Sequence, residues 1–227
     1  VKIILLASFP RSGNTFLRIG IEDVYGISTF SVYPEIRLED GNLSELILHQ
    51  GEPPNVTLAW NEAYSKRFRK PDIAFIKTHD VEDIDLPYPA VHIIRDGRDV
   101  LVSWAHFEKE IHKKEGSVLE LMEYGIRNKV WSNFVKVWAK RPKIHTVSYE
   151  KLWKNPIREI MRVGDVAGLK RPLVRSVKLR TFEEFQDERP LDFRRGIIDS
   201  WKDEMPKDLQ DLFWQYNGEA MELLGYK

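Results

Sequence analysis

The apolar positions of this chain gather into short unbroken runs separated by stretches of helical period. Ile3-Ile4-Leu5-Leu6-Ala7, Ile73-Ala74-Phe75-Ile76, Ala90-Val91-His92-Ile93-Ile94 and Ile144-His145-Thr146-Val147-Ser148 are strand-sized, and continuous apolar runs of this length suit strands covered on both faces of a parallel sheet. Between and after them the spacing turns helical over Thr15 to Ile21, from Asp96 past Ser103, over roughly Ser117 to Ala139, from Pro156 to about Gly168, and over Pro206 to Leu224. Pro156 in a first turn and Gly168 and Gly225 at stops mark the ends. Trp131, Phe134 and Trp138 fall at i, i+3 and i+7, the spacing of one buried face. Ile27 to Pro71 has no clean period and carries Pro34, Pro53, Pro54, Gly41 and Gly51, with short helical candidates at Leu43 to His49 and around Trp60 to Phe68. Thr181 to Phe185 is a short element of unclear type. Strands alternating with helices predict an α/β chain: a P-loop-like three-layer fold with a central parallel β-sheet flanked by helices.

Composition narrows the class. At 227 residues the chain is expected to form a single domain, residues 1–227, with a substantial core. Lys plus Arg and Asp plus Glu are equal at 35 each, which argues against a general grip on nucleic acid or an anionic polymer. Cysteine is absent, which removes disulfides, thiolate chemistry and Cys-ligated zinc. No apolar run has transmembrane length and no signal-like N-terminus is visible. Cytoplasmic residence is the expectation, although a start at Val1 leaves open a removed leader or anchor.

The chemistry concentrates where strands end. After the first run, Ser8-Phe9-Pro10-Arg11-Ser12-Gly13-Asn14-Thr15 opens into a helix, whose first N–H groups make an anion site to which Arg11, Ser12 and Thr15 add a charge and two hydroxyls. It is not a Walker A loop, because Ser8 stands at the first glycine and Asn14 at the lysine of that motif. On the loop alone, a Gly/Pro turn capping a core strand is the competing reading. The second run leads into Lys77-Thr78-His79, a cation and a near-neutral base two residues apart and so on one side of the chain. The third leads into Arg95-Asp96-Gly97-Arg98-Asp99 and on to Ser103: Asp96 can cap the helix, Asp99 suits its first turn, and Arg95 with Ser103 suits a phosphate monoester. Ligands in parallel sheets sit at the carboxyl ends of strands, so all three segments are expected at one rim. Tyr33, Trp60, Tyr64 and Phe68 are candidate acceptor-pocket aromatics, as are those around Trp104 to Phe107, with burial in the core as the alternative.

Together these segments resemble the PAPS-dependent sulfotransferase family, which transfers sulfonate from 3′-phosphoadenosine 5′-phosphosulfate (PAPS) to a hydroxyl or amine and releases 3′,5′-adenosine bisphosphate. Phe9 to Phe16 is similar to the 5′-phosphosulfate loop, which implies donor binding by Arg11, Ser12, Gly13, Asn14, Thr15 and Phe16, the last at the place of an aromatic that stacks on adenine. Ile94 to Ser103 is similar to the 3′-phosphate motif, with Arg95 and Ser103 at the matching separation and Gly97 where proline is common. Ile76-Lys77-Thr78-His79 resembles the motif of the cytosolic branch, whose histidine is the base and whose lysine contacts the sulfonate. Tyr149, Thr181 and Phe182 match adenine-side positions. Phe193-Arg194-Arg195-Gly196 and Trp201-Lys202 resemble the signature that closes over the 3′-phosphate, with Asp199 where a second glycine stands. The tail lacks the short dimerisation pattern of many cytosolic members, which leaves the oligomeric state open.

The resemblance implies in-line transfer without a metal. His79 takes the acceptor proton, giving a near-neutral to mildly alkaline optimum, while Arg11 and Lys77 neutralise charge on the sulfuryl and departing phosphate oxygens. The acceptor is a small molecule, a carbohydrate or a lipid. Two rivals are a P-loop nucleotide kinase, against which Asn14 counts, and a non-catalytic adenine-nucleotide sensor, which needs no Lys77 and His79 pair.

Overall fold

The computed structural model describes residues 2–27, 29–31, 73–173, 177–188 and 194–227. Among these, β1 (Lys2–Ser8), β2 (Thr29–Ser31), β3 (Ile73–Thr78), β4 (Ala90–Ile94) and β5 (His145–Ser148) form one sheet in the order β2-β3-β1-β4-β5. Every pairing is parallel. The helices are α1 (Asn14–Tyr25), α2 (Gly97–Glu110), α3 (Val118–Arg127), α4 (Val130–Ala139), α5 (Tyr149–Lys154), α6 (Pro156–Ala167), α7 (Phe182–Glu188), α8 (Trp201–Glu204) and α9 (Lys207–Leu224), with a 3-10 turn at Glu82–Asp85.

Alternation along the strands builds two apolar layers. Ile4 and Leu6 of β1 join Phe75, Val91, Ile93 and Val147 in one core with Leu17 and Ile21 of α1 and Ile160 and Val163 of α6. Leu5 and Ala7 face the other way, with Ala74, Ile76 and Ala90, onto Leu101 of α2, Trp131, Phe134 and Trp138 of α4, and Phe213 of α9. A strand side chain points opposite to its neighbour, so the unbroken apolar run from Ile3 to Ala7 within β1 is what two covered faces require. The result is the three-layer arrangement expected.

Several details differ from the expectation. The stretch 117–139 is two helices, not one. Ser117 and Glu120 form a reciprocal capping box at the start of α3, and Lys129, at φ 53°, turns the chain before α4. Thr181 to Phe185 resolves into the start of α7, which Thr181 caps: its Oγ accepts from the Glu184 amide at 3.2 Å, and its own amide donates to Glu184 Oε2 at 2.6 Å. The strand β2 and the short helices α5 and α8 were not foreseen. The helical candidates at 43–49 and 60–68, with Tyr33, Trp60, Tyr64 and Phe68, lie outside the described residues.

Candidate active site

The loop between β1 and α1 is held in a shape few residues adopt. Arg11 has φ 69° and Gly13 φ 95°, the left-handed region that glycine tolerates and other residues enter at a cost of order 1 kcal/mol or more. Gly13 is required for a second reason: a Cβ there would stand 2.4 Å from Tyr149 Cδ2. Asn14, at the position of the Walker lysine, donates from Nδ2 to the Leu6 carbonyl at 2.9 Å and to Ser8 Oγ at 3.1 Å. An amide here ties the loop back to its strand, where a lysine would have reached outward.

Four arginines, Arg11 of the loop itself among them, line the same pocket. Arg11 Nε donates to Ser103 Oγ at 3.1 Å, and its guanidinium lies 5.0 Å from the Phe107 ring centre, a stacked arrangement. Arg95, at the end of β4, covers the Tyr149 ring at 4.3 Å. It donates to the carbonyls of Arg11 at 3.3 Å and Ile197 at 3.0 Å. Arg95 Nε and Arg194 Nε are both buried N–H donors without a hydrogen-bond partner. Such orphans are expensive, and a ligand rich in acceptors is one way to satisfy them. Arg194 and Arg195 come from the segment that covers this side.

His79 and Lys77 reach the same space from the end of β3. His79 Nδ1 lies 2.5 Å from the Ser8 carbonyl oxygen. A carbonyl only accepts, so Nδ1 carries the proton and Nε2 is left with its lone pair. Although part of the imidazole reaches the pocket, its surroundings push its pKa well below 6.5, first through desolvation and then through the Lys77 charge, with the Ser8 hydrogen bond opposing. The ring is therefore a neutral base.

The covering segment is pinned by carboxylates. Asp99, 1% exposed, accepts from the Asp199 amide at 2.9 Å, Ser200 Oγ at 3.1 Å and the Trp201 amide at 3.0 Å, and it stands 3.7 Å from Arg95 Nη2. Asp199 has φ 67°, so it takes the left-handed turn in place of the family's glycine, as aspartate does more readily than most residues. Tyr149 donates its hydroxyl to the Gly196 carbonyl at 3.3 Å, while burial pushes its phenol pKa up.

These groups line one pocket of about 410 Å³. It is lined by Arg11, Gly13, Asn14, Thr15 and Phe16 of the first loop and helix, by Lys77, His79, Arg95 and Ser103, and by Tyr149, Arg194, Arg195 and Gly196. Phe16 packs edge-on to Tyr149 at 6.5 Å and to Trp153 at 6.0 Å. Ser12 is buried at 1% exposure, its amide donating to the Phe9 carbonyl at 3.2 Å. Thr181 caps α7 and is not among the residues that line this pocket, and the Phe182 side chain lies outside the described residues. Sequence reading missed Glu108, His112, Ile197 and Ser200, which also line the pocket. No helical register leads from Ser103 to Glu108, five residues on, or to His112, beyond the end of α2, so the periodicity of that helix carried no signal for either.

Among the described residues, no helix is long and apolar enough to cross a membrane. No group of three or more His, Asp or Glu among them is arranged to hold a metal ion.

Comparison with known proteins bears on the family and the fold. Residues 2–225 match the sulfotransferase domain family. Sulfotransferase 1B1 of Mus musculus is 25% identical over 244 aligned positions, covering 88% of this chain and 76% of the mouse protein. The structure of mouse sulfotransferase SULT7A1 complexed with PAP superposes with a TM-score of 0.68 at 19% identity, covering 97% of this chain and 84% of that one. Retinol dehydratase in complex with androsterone and the inactive cofactor PAP superposes with a TM-score of 0.66 at 17% identity, covering 98% and 82%. At these identities the structural likeness speaks for the fold.

Proposed function

The chain belongs to the sulfotransferase family, and from that premise we propose how this PAPS-dependent enzyme uses the residues of its pocket to move sulfonate onto a small hydroxyl-bearing acceptor. His79 Nε2 accepts the acceptor's O–H proton as the new S–O bond forms. The bond from sulfur to the 5′-phosphate oxygen breaks, and 3′,5′-adenosine bisphosphate leaves. Lys77 and Arg11, with the amides of the loop, face the charge that develops on the sulfuryl and leaving oxygens, the role that fixed cations play in phosphoryl transfer.

Arg95, Ser103, Arg194, Arg195 and Gly196 hold the 3′-phosphate, and the orphaned Nε groups of Arg95 and Arg194 suit an anion with many acceptors. Phe16 and Tyr149 take the adenine side. Thr15 and the loop amides take the 5′-phosphate, and Asn14 and Gly13 shape the loop beneath it. Cytoplasmic residence belongs to the same proposal, supported by the Lys77-Thr78-His79 motif of the cytosolic branch. A small hydroxylic acceptor is supported by the neighbour solved with androsterone.

The observation that carries the reading is the shared pocket, which His79 and Lys77 line together with Arg11, Arg95 and Ser103, with His79 Nδ1 bonded to the Ser8 carbonyl. Calorimetric titration with 3′,5′-adenosine bisphosphate, run beside ATP with magnesium, is the test. Metal-independent preference for the bisphosphate is expected, and preference for ATP with magnesium overturns the reading in favour of a kinase. His79→Ala is expected to lower turnover about 10²–10⁴-fold, the span of a positioned general base, while leaving bisphosphate affinity intact. Near-normal turnover in that variant removes His79 from the mechanism.

A further inference from the structure

Glu204 closes α8 at the edge of the pocket, its side chain 17% exposed. It meets Arg194 end-on: Nη1 donates to Oε2 at 2.8 Å and Nη2 to Oε1 at 2.9 Å. Arg195 Nη1 donates to Oε1 at 3.0 Å, and His106 Nε2 lies 3.3 Å from Oε2. The same imidazole has Glu110 Oε1 at 3.0 Å from its Nδ1. Burial works against the charge on Glu204, yet the hydrogen bonds and charge of Arg194, reinforced by Arg195, hold its carboxyl below the usual carboxylate range.

A guanidinium carries five N–H donors in a rigid plane and can take an oxyanion end-on through its two Nη atoms or side-on through Nε and one Nη. An end-on carboxylate therefore leaves the side-on edge open. In Arg194 that edge includes the buried Nε–H that has no partner. Arg195 gives Glu204 a single Nη, so it too keeps donors in reserve. Adjacent arginines repel, and a shared carboxylate offsets this repulsion while fixing both planes.

We propose that Glu204 is the positioning residue of the 3′-phosphate subsite: it backs Arg194 and Arg195 so that their free edges meet the phosphate, and it thereby sets the selectivity for a 3′-phosphorylated nucleotide. The inference rests on the donor-site reading above and deepens it. Glu204 works with the ligand here, since the two anions use different edges of the same guanidinium. A carboxylate acting as an internal stand-in for the phosphate would instead occupy the side-on edge.

The test compares Glu204→Gln and Glu204→Ala with the unmodified chain by calorimetry against 3′,5′-adenosine bisphosphate and adenosine 5′-monophosphate, with kcat and KM for PAPS in parallel. Glutamine keeps the size but supplies one acceptor oxygen and no charge. Bisphosphate affinity is expected to fall about tenfold, the lower end for losing a charged hydrogen bond. Monophosphate affinity and kcat at saturating donor are expected to stay unchanged, so that the ratio between the nucleotides falls tenfold. Tighter bisphosphate binding in either variant makes Glu204 a competitor and overturns the proposal. An equal loss for both nucleotides makes it a general structural prop and also overturns it. Because Glu204 is partly exposed on a short helix, both variants are expected to fold, and an unchanged thermal midpoint in Glu204→Gln checks this. Failure of the unmodified chain to prefer the bisphosphate would count against the donor-site reading itself, a separate result.

Discussion

His79 keeps its proton on Nδ1 because the Ser8 carbonyl beside it can only accept, while burial and the Lys77 charge keep the ring neutral to lower pH than a free histidine. A depressed pKa makes a weaker base, but one that remains competent where an ordinary imidazole is already protonated. The acid limb of kcat/KM for the donor is accordingly expected below pH 6.5, extending the near-neutral optimum read from the sequence toward acid. A limb at or above 6.5, or one that persists in His79→Ala, contradicts this. Arg11, Lys77, His79, Arg95 and Ser103 were legible because each stands at a fixed offset from an apolar run, and the end of the run locates it. Asp99 was legible only as a first-turn acid. Its partners at Asp199, Ser200 and Trp201 lie about a hundred residues away, and no local pattern encodes so distant a hydrogen bond. The pairing of Glu204 with Arg194 and Arg195 was hidden by an irregular segment that has no period from which to read a face.

The helices show the same divide at a larger scale. The strongly periodic elements α1, α4, α6 and α9 were readable, because a helix that buries one face must repeat it. The three residues of β2 and the four of α8 are shorter than any period, and tertiary contacts decide them. The start of α2 adds a constraint that the sequence concealed. Glycine stands there in place of a family proline, an exchange that a cap turn tolerates on backbone grounds. In the folded chain a Cβ at Gly97 would lie 2.6 Å from Trp131 Cε3 and Cζ3, and Trp131 is wholly buried. The reverse exchange is therefore unfavourable in this protein. Gly97→Ala is expected to cost about 1–3 kcal/mol, the range for overpacking a filled core, and Gly97→Pro no less. Urea denaturation midpoints measure it, and an unshifted midpoint in Gly97→Ala means that Trp131 yields without cost.

At the scale of the whole molecule, the parallel sheet delivers the ends of β1, β3 and β4 to one rim, which is how segments dispersed over the chain become one pocket. The sheet also buries a liability. His92 of β4 is 1% exposed, packs near Phe134 and Trp138, and has no hydrogen-bond partner on either nitrogen. Desolvation lowers its pKa to about 3. An unfolded chain, with the ordinary value near 6.5, takes up a proton below that pH while the folded chain does not, so this contribution to stability is complete above pH 6.5 and is lost as the pH falls toward 3. At pH 5 the loss is about 2 kcal/mol. Unfolding at pH 7 and pH 5, compared with His92→Leu, isolates it: the variant is expected to lose about 2 kcal/mol less over that interval, and parallel losses would mean that His92 is protonated alike in both states. One more consequence lies in the contacts that Arg95 and Tyr149 already make. Arg95 already holds the carbonyls of Arg11 and Ile197, and Tyr149 that of Gly196. Under the donor-site proposal, a nucleotide that calls on the Arg95 Nη atoms or the Tyr149 hydroxyl exchanges these contacts for its own, whereas one that takes Arg95 Nε adds to them. On the donor-site proposal, its heat of binding is expected to be smaller than that of a site whose donors all stand unpaired.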